Sequence, residues 1–127
     1  MYSKKKILVL GVANERSIAW AISEALKREG AELALTYPNE AIEKRLRPLA
    51  ATIGCDFLLP CDVQSDEDLD RLFSEIGQRW GRLDGVVHSV AYADREDLQR
   101  PFSQTSREGF RLALDVSAYS LVAVAGR

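Results

Sequence analysis

Gly11-Val12-Ala13-Asn14-Glu15-Arg16-Ser17-Ile18-Ala19 follows the apolar run Ile7-Leu8-Val9-Leu10 and leads into Ser17–Arg28, a stretch with helical periodicity. A strand, a turn of small residues and a helix start, in that order, form a seat for a pyrophosphate. The turn lets backbone approach a ligand, and the helix N-terminus offers unpaired N–H groups and a partial positive charge. The turn is not Gly-x-Gly-x-x-Gly, because the small residues after Gly11 are Ala13 and Ser17. Alone it is therefore a weak signal.

Working outward, strand and helix patterns alternate. Strands are expected at Ile7–Leu10, Glu32–Thr36, Asp56–Leu59 and Leu83–His88. Helices are expected at Ser17–Arg28, with Ser17 as N-cap and Gly30 as stop, and at Glu40–Ile53, where Pro48 threatens a kink and Gly54 closes. Ser65–Trp80 is the clearest helix. Leu69, Leu72, Phe73 and Ile76 share one face, Ser65 with Asp68 resembles a capping box with a shorter acid, and Gly81 ends it. A polar connection over Ser89–Arg107 holds one short helical turn after Pro101. A last helix begins at Glu108, with Phe110, Leu114, Leu121 and Val122 among its apolar positions. Four short apolar strands separated by helices predict an α/β fold with a parallel sheet and right-handed crossovers, and the expected arrangement is a doubly wound sheet of order 3-2-1-4. Ligands of such a sheet bind in the crevice at the strands' carboxyl ends, where the chain reverses direction. Gly11 after strand one and Ser89 after strand four form its two walls.

The length of 127 residues fits one domain, 1–127, and 46% hydrophobic with 28% charged residues is an ordinary globular balance. A net charge of −2 argues against nucleic acid as a main partner, and Lys4-Lys5-Lys6 reads as a solvated approach to the first strand. No apolar run approaches the roughly 20 residues that cross a bilayer, and no signal-peptide segment is seen, so the expected location is cytoplasmic and away from membranes. Cys55 and Cys61 make neither a disulfide framework nor zinc-like spacing with the single histidine, His88. Both are expected to be reduced and to behave as small apolar side chains.

Further segments carry a resemblance. Gly11-Val-Ala…Ser17-Ile-Ala19, Arg28-Glu-Gly-Ala-Glu-Leu-Ala34, Cys61-Asp-Val63, Asp84-Gly85…His88-Ser89-Val-Ala91 and Asp115-Val-Ser-Ala-Tyr-Ser120 together resemble the N-terminal half of the enoyl-acyl-carrier-protein reductases, within the short-chain dehydrogenase/reductase superfamily. The resemblance covers nearly the whole chain and implies a Rossmann-like sheet. It also implies an oxidoreductase of fatty-acid biosynthesis that reduces the trans-2 double bond of an acyl chain on acyl carrier protein, with NADH or NADPH. Full-length members are expected to be homotetramers.

The resemblance places Gly11 and Ala13 at the pyrophosphate turn, with Ser17 and Ile18 presenting N–H and hydroxyl groups to the phosphates. Asp62 would bind the adenine amino group beside Val63. Ser89, Val90 and Ala91 would run toward the nicotinamide, with Tyr92 at its substrate end. Each residue has a plainer role beside it. Gly11 suits any tight turn, Ser17 is an N-cap as well as a phosphate ligand, and Asp62 suits a surface turn. His88 is read as a packed structural imidazole, Cys61 as core, and Tyr92 as a ring lining the site rather than an acid. Asp115 and Ser117 face the site or the helix surface. The end of strand two, Thr36-Tyr37-Pro38-Asn39-Glu40, carries no immediate Lys or Arg, which favours NADH over NADPH at the ribose 2′ position.

The family's Tyr…Lys pair would follow a fifth strand, and Tyr119 has no lysine after it. We expect a fragment that stops before that strand, holds the cofactor and is inactive alone, with no catalytic residue of its own. A non-catalytic nucleotide-binding module of the same superfamily is the alternative. A flavodoxin-like signalling domain lacks its acidic pocket, since Gly-Val-Ala stands there.

Overall fold

The computed structural model describes residues 3–92 and 95–127. Four strands, β1 (Lys6–Leu10), β2 (Glu32–Tyr37), β3 (Leu58–Pro60) and β4 (Gly85–His88), form one parallel sheet in the order β3-β2-β1-β4. Helices α1 (Ile18–Arg28), α2 (Glu40–Thr52) and α3 (Asp66–Trp80) connect them. The expected sheet order is the observed one.

The near-continuous apolar strands follow from having two cores. Side chains alternate along β1, so Ile7 and Val9 join Trp20 of α1, Leu46 and Ala50 of α2 and Leu33 and Leu35 of β2 on one face. Leu8 and Leu10 join Ala34 and the α3 residues Leu69, Leu72 and Ile76 on the other. Leu8, Leu10, Leu35, Leu46 and Leu69 are fully buried. Each such side chain contributes about 1.5–3 kcal/mol.

Several boundaries differ from expectation, each for a local reason. The third strand is Leu58–Pro60 rather than Asp56–Leu59. It lies at the sheet's edge, where a proline without an N–H is tolerated. The fourth begins at Gly85, not Leu83, because Asp84 closes the strand's start with its side chain. Its carboxylate accepts the Lys6 N–H at 2.8 Å while its own N–H donates to the Lys6 carbonyl at 2.8 Å. Pro48 does not end α2, which runs on to Thr52. Ser65 caps α3 as expected, receiving the Asp68 N–H at 3.2 Å, but the return half of the capping box is absent. The Asp68 carboxylate instead accepts the Asp62 N–H at 2.9 Å.

The polar connection holds a helix that sequence periodicity does not show, α4 (Arg95–Gln99), before the expected turn, a 3-10 turn at Phe102–Gln104. The last helix starts one residue earlier than expected. Segment α5 (Arg107–Leu114) passes through a π-helical stretch, Asp115–Tyr119, into α6 (Ser120–Ala125), all with helical backbone angles at the joins. Its inward residues are Ser120, Ala123 and Val124, the last two packing with α3. Phe110, Leu114, Leu121 and Val122 face outward, with Val122 62% exposed.

Candidate functional site

The carboxyl ends of all four strands open into one cleft of 540 Å³. Gly11 and Val12 come from the end of β1, and Thr36, Pro38 and Asn39 from the end of β2. Cys61, Asp62, Val63 and Gln64 follow β3, and Val90, Ala91 and Tyr92 follow β4. Leu112 of α5 and Val116 of the π stretch complete the wall. Of the expected site residues, Gly11, Asp62, Val63, Val90, Ala91 and Tyr92 are brought together here. Ala13, Ser17 and Ile18 lie further along the β1–α1 turn, outside the lining, and Ser89 sits at the neck between β1 and β4.

Gly11 is required by the geometry of that neck. Its φ is +109°, and a Cβ there would overlap the Ser89 carbonyl. Ser89 in turn donates its N–H to the Leu10 carbonyl at 3.0 Å, so the two walls are hydrogen-bonded where the strands end. Past Val12 the turn folds on itself. Asn14 Oδ1 accepts the Arg16 N–H at 2.8 Å, and the Asn14 carbonyl accepts the Ser17 hydroxyl at 2.8 Å. Ser17 then caps α1 by accepting the Trp20 N–H at 3.3 Å. The first turn of α1 holds no acidic residue, so nothing there offsets the positive end of the helix. Ile18 is 74% exposed at that end.

Asp62 is held from three directions. Its N–H reaches Asp68, its Oδ1 accepts the Gln64 N–H at 2.9 Å, and its carbonyl accepts the Ser65 N–H at 2.9 Å. A carboxylate has acceptor capacity beyond the one bond to Gln64, enough for a ligand donor. Beside it, burial pushes the Cys61 thiol up to about 12, helped by the charges of Asp68 and Asp62. Cys61 is therefore a protonated apolar wall rather than a nucleophile. At the β2 end, Asn39 caps α2 by accepting the Ile42 N–H at 3.0 Å, with Glu40 next in the first turn. Arg47, further along α2, is paired with Glu43 at 2.6 Å.

His88 lies outside the cleft lining. Its Nε2 is 2.7 Å from Ser120 Oγ, whose proton goes to the Val116 carbonyl at 2.5 Å. Its ring is half-buried at the end of β4 and bonds toward the last helix rather than the cleft. Ser117 faces the segment after β4: its Oγ accepts the Tyr92 N–H at 2.8 Å and donates to the Tyr92 carbonyl at 3.1 Å. The contributions of Leu112 and Val116 were missed in the sequence. They are four residues apart on one helical face, but the apolar signal of Phe110 and Leu114 masks that face. Among the described residues no cluster of His, Cys, Asp or Glu suits a metal ion. The cleft is lined mostly by apolar side chains, with Thr36, Asn39, Asp62 and Gln64 among its polar groups, and the start of α1 lies just beyond that lining.

Fold and cleft together are of the Rossmann-like, doubly wound class. Residues 11–127 match the family model described as Enoyl-(Acyl carrier protein) reductase, and the chain belongs to that family. It is 48% identical over 120 residues to the enoyl-acyl-carrier-protein reductase (NADH) FabI of Aquifex aeolicus, covering 94% of this chain and 44% of that protein. Among solved structures, the Anaplasma phagocytophilum reductase in complex with NAD superposes with a TM-score of 0.94 at 40% identity, covering 98% of this chain and 48% of that one. The Bacillus cereus reductase with NADP+ and an indole naphthyridinone gives 0.92 at 47% identity, covering 98% and 49%. The chain spans about half the length of the curated relatives it matches. No helix among the described residues is long and apolar enough to cross a membrane.

Proposed function

We propose that this chain is the dinucleotide-binding part of an NADH-dependent enoyl-acyl-carrier-protein reductase. The observation that carries the proposal is the convergence of all four strand ends on one cleft whose neck only glycine fits, at Gly11. In this reading Gly11, Ala13, Ser17 and Ile18 hold the pyrophosphate with backbone N–H groups and the Ser17 hydroxyl. Asp62 accepts the adenine amino group, Val63 packs beside it, and Ser89, Val90 and Ala91 guide the second nucleotide toward Tyr92. The bound dinucleotide supplies a hydride.

The residues here bind, orient and exclude water. None transfers a proton, and no lysine follows Lys44 in the sequence to partner a tyrosine. The substrate is an enoyl thioester of acyl carrier protein, handled with residues beyond this half of the family's length. The matching location is the cytoplasm and the matching assembly a homotetramer, and the outward apolar face of α5 and α6 supports association between copies.

NADH is favoured over NADPH because the residues directly after β2, Pro38, Asn39 and Glu40, offer no cation for a 2′-phosphate. The experiment is a fluorescence titration of the chain with each dinucleotide under equal conditions. NADH should bind at least about tenfold more tightly, a difference of about 1.4 kcal/mol. Tighter NADPH would overturn the cofactor preference, and no binding of either would overturn the dinucleotide reading. No reduction of a crotonyl thioester is expected from these residues alone.

A further inference from the structure

We propose that Ser117 is a positioning residue, whose hydroxyl holds the main chain of Tyr92 and so fixes the wall of the cleft that follows β4. The proposal rests on the dinucleotide reading of that cleft.

After Ser89 bonds to Leu10, the chain leaves the sheet, and Val90, Ala91 and Tyr92 continue without regular structure while lining the cleft. An unsupported segment would let this wall drift. The long helix supports it at two points. Ser120 meets His88 at the end of β4, and Ser117 meets both the N–H and the carbonyl of Tyr92. The Ser120 proton is used on the Val116 carbonyl, so His88 Nε2 is the donor to Ser120.

The stretch between these anchors is π-helical, a distortion often found at functional sites. It lets one helix present Val116 to the cleft, Ser117 to Tyr92 and Ser120 to His88. Ser117 and Tyr92 also line a second groove, which Phe110 and Leu114 border, so Tyr92 divides the two spaces. A serine inside a helix usually bonds its own preceding turn or faces water. Here the hydroxyl spends both its bonds on one residue of the opposite wall.

The test compares Ser117→Ala and Ser117→Thr with the unaltered chain. Alanine is the better helix former, so the helix itself is not at risk. Threonine keeps the hydroxyl. Two quantities are read: hydrogen exchange of the Tyr92 amide, and NADH affinity by fluorescence. In Ser117→Ala the Tyr92 amide should exchange about tenfold faster, the loss of one hydrogen bond, while the Ser89 amide is unchanged. NADH affinity should fall about three- to tenfold. Ser117→Thr should keep both within about twofold. Unchanged Tyr92 exchange in Ser117→Ala would overturn the clamp. Faster exchange with unaltered NADH affinity would reduce Ser117 to a structural residue and overturn the positioning role. If the unaltered chain binds no NADH, the dinucleotide reading fails and this role with it, and the exchange measurement still reports separately whether the clamp exists.

Discussion

Gly11 sits at φ +109° with the Ser89 carbonyl against its α-carbon, so any side chain there meets both backbone strain and a steric wall. Gly11→Ala should lose about 1–3 kcal/mol to the strained backbone alone and should abolish dinucleotide binding. Thermal unfolding and NADH titration check the two effects, and an alanine variant of unaltered stability would contradict the geometry. Cys61 offers a second test. With its thiol pushed up to about 12, roughly one part in ten thousand is thiolate at pH 8. Cys55 is also buried and shifted upward by burial. Ellman's reagent at pH 8 should leave both thiols of the native chain unmodified and label both after unfolding. Rapid labelling of the folded chain would show the wall to be open. At this scale Gly11 was legible because its neighbours make a strand–turn–helix. The tethering of Asp62 by Asp68 was not, since spacing suggested that Asp68 would return to Ser65.

The caps and connections decide behaviour at the scale of elements. The Asp97 carboxylate accepts the Ser106 N–H and hydroxyl, each at 3.0 Å, and Ser106 caps α5 by accepting the Gly109 N–H at 3.0 Å. The Ser106 backbone bond, then its hydroxyl and Arg100, hold the Asp97 carboxyl below its usual range. A depressed folded-state value means the charged form is favoured by folding. This stabilisation is complete above the unfolded carboxylate value near about 4 and is lost as pH falls through the lower folded value. Asp97→Asn should therefore melt lower than the unaltered chain at pH 6 and converge with it toward pH 3. A constant difference across that range would contradict the capping role. Helices α1 to α3 were legible because apolar residues recur at helical spacing between a polar cap and a glycine. The five-residue α4 was not, because so short a helix has no periodicity to read. The π stretch was hidden because its dihedral angles remain helical and only its hydrogen-bond spacing changes.

For the whole molecule, the parallel sheet followed from alternation and crossover handedness, which alone do not select its strand order, and the two cores followed from strands apolar on both sides. Phe110, Leu114, Leu121 and Val122 of the last helix stand outward rather than in either core. An exposed apolar face of this kind favours association. Sedimentation should show self-association, and Leu114→Lys with Val122→Lys should shift the chain toward monomer without changing NADH affinity. A unaltered chain that stays monomeric would remove the support for the homotetramer.

The cleft itself is tested most directly by mapping backbone amide shifts while NADH is added to the chain. The expected result is saturable shifts at Gly11, Val12, the Ser17–Ile18 helix start, Asp62, Val63 and Ser89 to Tyr92, with the amides of α2 beyond Asn39 little affected. Shifts confined to the outward face of α5 and α6, or none at the Gly11 turn, would contradict a dinucleotide seated at the carboxyl ends of the strands.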